Sequence, residues 1–228
     1  MAVDAHDRAV SYFLSNCREL AVLSVLAYGS YARGDHRPDS DIDLLLVLDS
    51  GRYSAGDVSK LIEIAKSSRE RFGVSLNMDV MLDSEIELWN KGILLEGHSF
   101  IDLSFYRKDG KVLYGEDIRT RFRLPENLEE KAKVLLGVVE SEFKRWLFES
   151  EGKGQLVPHW LTGWLLVTFL NTLGIVEVTS FKETCELVEK IPFLAITPEF
   201  EKYKEKKELT PDEFINLNRI IRRYNRQT

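Results

Sequence analysis

Residues 28–48 read YGSYARGDHRPDSDIDLLLVL, and this stretch decides the fold of the first half of the chain. The apolar run before it, Ala21–Tyr28, ends in Gly29-Ser30, which reads as a strand entering a glycine turn and a short helix. Ile42–Leu48 reads as a second strand, apolar on both faces after Asp43, as in a sheet covered on both sides. Asp41 and Asp43 stand one residue apart at its mouth, so the two-residue period sends both carboxylates to one face. Adjacent like charges of this kind need neutralising, and Mg²⁺ favours hard oxygen ligands from one or two carboxylates plus phosphates. Gly29 lets a phosphate approach the backbone, the following helix start favours an anion, and the Ser30 hydroxyl can donate to a phosphate oxygen. Arg33 and Arg37, in the connecting loop, are of the type that clamps phosphate oxygens.

Outward from this stretch, Asp57–Phe72 has helical periodicity and Gly73 is placed to end it. Val74–Leu82 alternates, with Ser75, Asn77 and Asp79 on one face and Val74, Leu76, Met78 and Val80 on the other. The 36-residue separation of Asp43 and Asp79 accommodates a crossover helix, as parallel neighbouring strands require. Pairing of those strands would bring Asp79 to Asp41 and Asp43. Three carboxylates around two Mg²⁺ ions suit activation of a hydroxyl and departure of pyrophosphate. Asp83 is a rival third carboxylate, but Asp83–Glu87 reads as a helix start with Ser84 and Glu87 spaced as a capping box. His98–Arg107 and Lys111–Tyr114 read as a hairpin turning at 108–110, and residues 4–20 as an amphipathic helix. Asp35 and Asp39 read as loop-shaping residues, and His36 first as a solvated loop histidine and second as a substrate contact. The four histidines have no metal-ligand spacing, so no zinc site is expected.

Beyond Pro125 helical patterns take over, at about 126–150, 157–173, 180–190, 198–207 and 211–226, punctuated by Pro158, Pro192, Pro198 and Pro211. The expected organisation is an α+β domain over 1–122 and an all-α bundle over 123–228. Residues 154–176 carry no Asp, Glu, Lys or Arg for 23 positions, long enough to span a bilayer. Pro158, His159 and several Thr and Asn interrupt that run without flanking basic residues, so a buried helix is expected and no membrane contact. Arg219, Arg222, Arg223 and Arg226 recur at helical spacing, fit either to complement a helix C-terminus or to grip a phosphate, RNA or acidic partner. Arg119, Arg121 and Arg123 sit at the domain junction, fit to help hold a triphosphate or an acceptor but read first as a solvated linker. Trp146, Trp160 and Trp164 read as bundle core.

The chain has 228 residues, with 31 basic and 37 acidic side chains and a formal charge of −6. A hydrophobic content of 44% excludes wholesale disorder, and the acidic balance argues against a globally basic nucleic-acid binder. Cys17 and Cys185 are too few and too far apart for a stapled secreted fold, and no signal-peptide pattern opens the chain, so a cytoplasmic location is expected.

Gly29-Ser30 followed by Asp41-Ile42-Asp43, with Asp79 on a later strand, resembles the signature of the DNA polymerase β-like nucleotidyltransferase superfamily. The wording GSYARGDHRPDSDIDLLLV is similar to its minimal nucleotidyltransferase branch, and aminoglycoside nucleotidyltransferases carry related motifs. The resemblance covers about the first half of the chain. It implies a mixed sheet with flanking helices. It implies Asp41, Asp43 and Asp79 as catalytic and metal-holding residues, for Mg²⁺ (two ions) or Mn²⁺. The nucleotide-binding set would be Gly29, Ser30, Arg33, Arg37 and Ser40. The implied reaction moves a nucleoside monophosphate, AMP from ATP, to a hydroxyl on a small molecule or a protein. Some relatives are antitoxins that adenylylate a helical HEPN ribonuclease. No histidine follows His159, so the C-terminal half lacks the Arg-x(4–6)-His motif of that partner. The alternative is a non-catalytic nucleotide or RNA sensor that keeps the fold.

Overall fold

The computed structural model describes residues 4–91, 102, 104–150 and 155–226. Its contacts divide the chain into two compact units, 1–125 and 126–228. The first unit carries a four-stranded mixed sheet. Strand β1 (Val22–Tyr28) runs into the short helix α2 (Gly29–Arg33), followed by β2 (Ile42–Leu48) and β3 (Leu76–Leu82). Strand β4 (Lys111–Gly115) completes the order β3-β2-β1-β4. β2 is antiparallel to β1 and parallel to β3, with Asp43 opposite Asn77 and Leu45 opposite Asp79. The parallel pairing is supplied by the crossover helix α3 (Ala55–Phe72). That helix starts in a capping box between Ser54 and Asp57 and ends at Gly73, whose φ of 72° only glycine adopts readily.

α1 (Ala5–Cys17) and α3 cover one face of the sheet. The residues driving this packing alternate along the strands: Ile42, Leu44, Leu46 and Leu48 of β2 are fully buried, with Leu76, Met78, Val80 and Leu82 of β3 against the same cluster. The other face receives Leu26, Leu45, Val47 and Met81, also buried, and at one end Tyr28, Asp43, Asn77 and Asp79. Both faces of β2 are therefore covered except where its first residues emerge, and there polar groups collect.

The hairpin expected over 98–114 is corrected in its described part. Residues 98–101 and 103 lie outside the described residues, and Phe105–Asp109 forms a π-helical turn rather than a strand. This turn sinks Tyr106 completely, against Trp89 and Phe122. Burying that aromatic surface outweighs the strand pattern of the flanking residues. Lys111–Gly115 is a strand, but its partner is β1. The Ser84–Glu87 box is not formed either: Asp83–Glu85 is a 3-10 turn, and the Glu85 carboxylate accepts from the Leu82 amide at 2.6 Å before α4 (Ile86–Asn90) begins.

The second unit contains α5 (Leu128–Glu149), α6 (His159–Thr172), α7 (Phe181–Val188), α8 (Pro192–Ala195), α9 (Pro198–Lys204) and α10 (Pro211–Asn225). α6 holds the uncharged run. It is buried on nearly every side and, at 14 residues, spans about 21 Å, too short for a bilayer core. Among the described residues no helix is long and apolar enough to cross a membrane. Of the Trp residues expected in the core, Trp160 is exposed.

Candidate active site

The site is built at the end of the sheet where β1 stops and β2 starts. Tyr28 pairs with Asp43 across the antiparallel ladder, so the chain leaving β1 passes directly beside that carboxylate. Gly29 then takes a φ of 67°, and a Cβ placed there would lie 2.5 Å from Asp43 Oδ2. The glycine thus serves both a left-handed turn and a close approach between the start of α2 and an acidic side chain.

Asp43 is mostly buried, and its Oδ1 accepts a hydrogen bond from Asn77 Nδ2 at 3.0 Å. Burial pushes its carboxyl up to about 6; the Asn77 bond opposes this, and the charges of Asp41 and Asp79 add to the rise. Arg33 lowers it by a smaller amount. Asp41 is exposed at the mouth of the strand. The charges of Asp41 and Asp79 therefore both reach Asp43, as the two-residue period and the parallel pairing require. Their oxygens do not all close to within 4.8 Å; among the described residues, Asp4, His6 and His36 do. An all-oxygen set in which burial, and then neighbouring charge, disfavours one ionised carboxylate fits a hard divalent cation such as Mg²⁺, whose charge would offset both.

Asp79 Oδ2 accepts from two phenols, the Tyr28 hydroxyl in a very short bond and the Tyr106 hydroxyl at 2.9 Å. Burial, and then neighbouring acidic charge, keeps both phenols protonated: the pKa of each is pushed far above the usual tyrosine range. They are permanent donors. Tyr106 is itself fixed edge-on to Tyr28, with ring centroids 5.1 Å apart. Sequence reasoning missed both residues. Tyr28 was legible as the last residue of a strand whose face is shared with Asp43; Tyr106 gave no local signal.

Arg33 Nη1 donates to Asp109 Oδ2 at 2.7 Å, tying α2 to the π-helical turn. The Ser30 side chain is half-buried at the start of α2. Arg37 is exposed, and its amide donates to the Ser40 hydroxyl at 2.9 Å, so Ser40 organises the loop ahead of Asp41. Asp83 accepts from the Ser50 amide at 2.9 Å, which gives it a turn-stabilising role and keeps its carboxyl below the usual range. Arg119 is ion-paired with Asp117 at 2.6 Å and donates to the Gly110 carbonyl, while Arg121 donates to the Asp83 carbonyl at 3.3 Å. In the second unit, Arg222 pairs with Glu140 at 2.6 Å and is drawn toward α5, whereas Arg219, Arg223 and Arg226 are exposed. The four arginines do not form one equivalent row.

The family described as the nucleotidyltransferase domain matches residues 10–153. A protein of Methanocaldococcus jannaschii, provisionally named a protein adenylyltransferase, is 34% identical over 96 residues, covering 41% of this chain and 79% of that relative. A spectinomycin adenyltransferase of Enterococcus faecialis, solved with ATP and spectinomycin, superposes with a TM-score of 0.62 at 13% identity. That match covers 95% of this chain and 98% of the other, a likeness of fold.

Proposed function

This chain belongs to the nucleotidyltransferase domain family, and on that premise we propose that it transfers AMP from ATP to a hydroxyl acceptor with release of pyrophosphate. The observation that carries the reading is the Asp43 carboxyl, mostly buried, within reach of the charges of Asp41 and Asp79, and close against Gly29 where α2 begins. Asp41, Asp43 and Asp79 would hold Mg²⁺ (Mn²⁺ as a substitute), which when bound neutralises the triphosphate and lowers the pKa of the attacking hydroxyl.

The chain's own residues do the rest. The α2 start and the Ser30 hydroxyl hold phosphate oxygens, and Arg33, anchored on Asp109, presents its positive charge beside them. Arg37 extends this charge into solvent. Asp79 takes the acceptor proton, and Tyr28 and Tyr106 hold its carboxylate in one orientation. Alignment and fixed charge supply most of the acceleration in such a site. The acceptor is a small hydroxylated molecule or a protein side chain; the relative named as a protein adenylyltransferase supports the second.

Incubation with Mg²⁺ and each labelled triphosphate tests the reading against both acceptor classes. ATP should support pyrophosphate release and label transfer. Copurification with a helical ribonuclease that becomes labelled would identify a protein acceptor. Tight ATP binding with no transfer to any acceptor would replace the proposal with the sensor reading.

The tyrosine pair makes a separate prediction. Tyr106→Phe keeps the ring packing and removes one donor to Asp79. It should lower kcat by about tenfold with little change in KM for ATP, and Tyr28→Phe with Tyr106→Phe by about a hundredfold, a share of what a positioned proton acceptor contributes. Steady-state kinetics with ATP varied checks the split. An unchanged kcat in the double variant would remove Asp79 from the proton transfer.

A further inference from the structure

Away from the three aspartates, the first residues of α1 meet the loop that leads to Asp41. His6 is buried, and its Nε2 lies 2.9 Å from the Ser40 carbonyl oxygen. A carbonyl only accepts, so Nε2 carries a proton. The other ring nitrogen, Nδ1, lies 3.3 Å from Asp4 Oδ1. Asp4 Oδ2 lies 3.1 Å from His36 Nε2, and the two imidazole centroids are 4.5 Å apart. One carboxylate and two imidazoles, from the N-cap of a helix and a loop more than thirty residues away, thus converge on a single point.

We propose that Asp4, His6 and His36 bind a divalent transition-metal ion of the Zn²⁺ type, which pins the start of α1 to the loop delivering Asp41. The distances suit it. Zn–N and Zn–O bonds of about 2.0–2.1 Å place tetrahedral ligand atoms about 3.3 Å apart. His6 Nδ1 lies 3.3 Å from Asp4 Oδ1 and His36 Nε2 lies 3.1 Å from Asp4 Oδ2. One ligand atom from each of the three residues lies within 4.8 Å of the others, so a small rotation of the carboxylate closes them onto one ion. The tautomer suits it as well. A metal-bound histidine characteristically donates its second nitrogen to a backbone carbonyl, as His6 does to Ser40, which turns the Nδ1 lone pair toward Asp4. An Nδ1 lone pair facing a carboxylate is repulsive unless a proton or a metal cation lies between them, and a metal ion here would satisfy His36 Nε2 at the same time. Imidazole ligands select Zn²⁺, Cu²⁺, Ni²⁺ or Fe²⁺ over Mg²⁺. The site is thereby chemically distinct from the all-aspartate face of the sheet. Among the described residues His36 Nδ1 is buried with no hydrogen-bond partner, so none of them fixes that ring's tautomer, and His36 forms the adjustable side of the site. Three protein ligands leave the fourth position to water.

The sequence expectation of no zinc site followed from spacing alone. The ligands lie on different elements, and only the fold brings them together.

The test uses the full chain carrying Asp41→Asn and Asp43→Asn, so that the sheet-face carboxylates do not compete, after treatment with a chelator. Zn²⁺ is titrated by calorimetry and Co²⁺ by visible absorption. One equivalent should bind, Co²⁺ should develop the intense bands of a four-coordinate site, and excess Mg²⁺ should leave both signals unchanged. Asp4→Asn keeps an N-cap side chain while removing the carboxylate, and His36→Asn alters only a loop position. Each should weaken binding by at least about tenfold. No binding, displacement by Mg²⁺, or binding as tight in either variant as in their parent would overturn the proposal.

Discussion

Asp43→Asn should abolish nucleotidyl transfer, with kcat lower by at least about a thousandfold, the scale for loss of a central electrostatic group. The same substitution should make the metal-free protein more stable above pH 6. The carboxyl has a folded pKa of about 6 against an ordinary 3.8, raised first by burial, with Asp41 and Asp79 adding to it. A raised acid pKa means that the folded state holds the proton longer than the unfolded chain. The associated stability is present below pH 4 and is lost as pH rises through 6. Above that, the fold retains an ionised, mostly buried carboxylate beside two others. Asparagine removes the charge, and its side-chain oxygen still accepts from Asn77 Nδ2. The variant's advantage should be near zero at pH 4 and reach about 2–3 kcal/mol at pH 7.5. Denaturant titrations at the two pH values measure it, and added Mg²⁺ should stabilise the parent but not the variant. A variant that still transfers nucleotide, or one less stable at pH 7.5, would remove Asp43 from the centre of the site.

What the sequence made legible was whatever rests on local periodicity. The pairing of Asp41 with Asp43, the alternation that puts Asp79 on its own face, the glycine turn and the helices after Pro125 are all short-range patterns. The parallel neighbour of β2 followed from one crossover helix of sufficient length. Interactions between distant positions were not legible. Tyr106 reaches Asp79 because a π-helical turn replaces the expected strand, and that turn is held by Trp89 and Phe122 from other elements. The Arg33–Asp109 pair joins residues 76 apart. His6 and His36 share Asp4 although neither shows a ligand spacing. Arg222 leaves its helical row because Glu140 of α5 stands opposite it. In each case the partner is fixed by packing, which a pattern along the chain does not encode.

Gly29→Ala and Gly34→Ala together separate the two reasons for a glycine at the site. Both positions are left-handed, with φ of 67° and 77°, so alanine should cost each about 1–2 kcal/mol of stability. Their surroundings differ. A Cβ at Gly34 meets nothing within 4 Å, whereas at Gly29 it would stand 2.5 Å from Asp43 Oδ2. That oxygen ends a short side chain and can swing away, so the fold should survive, but swinging away moves the carboxylate on which transfer depends. Gly29→Ala should therefore lower kcat by about a hundredfold, the penalty for a misplaced catalytic group of roughly 1 Å. Gly34→Ala, equally destabilised, should keep its activity per folded molecule. Melting curves and turnover measured on the same two preparations make the comparison. Equal loss of activity in both would mean that the turn's backbone, and not the approach to Asp43, is what the glycine at position 29 provides.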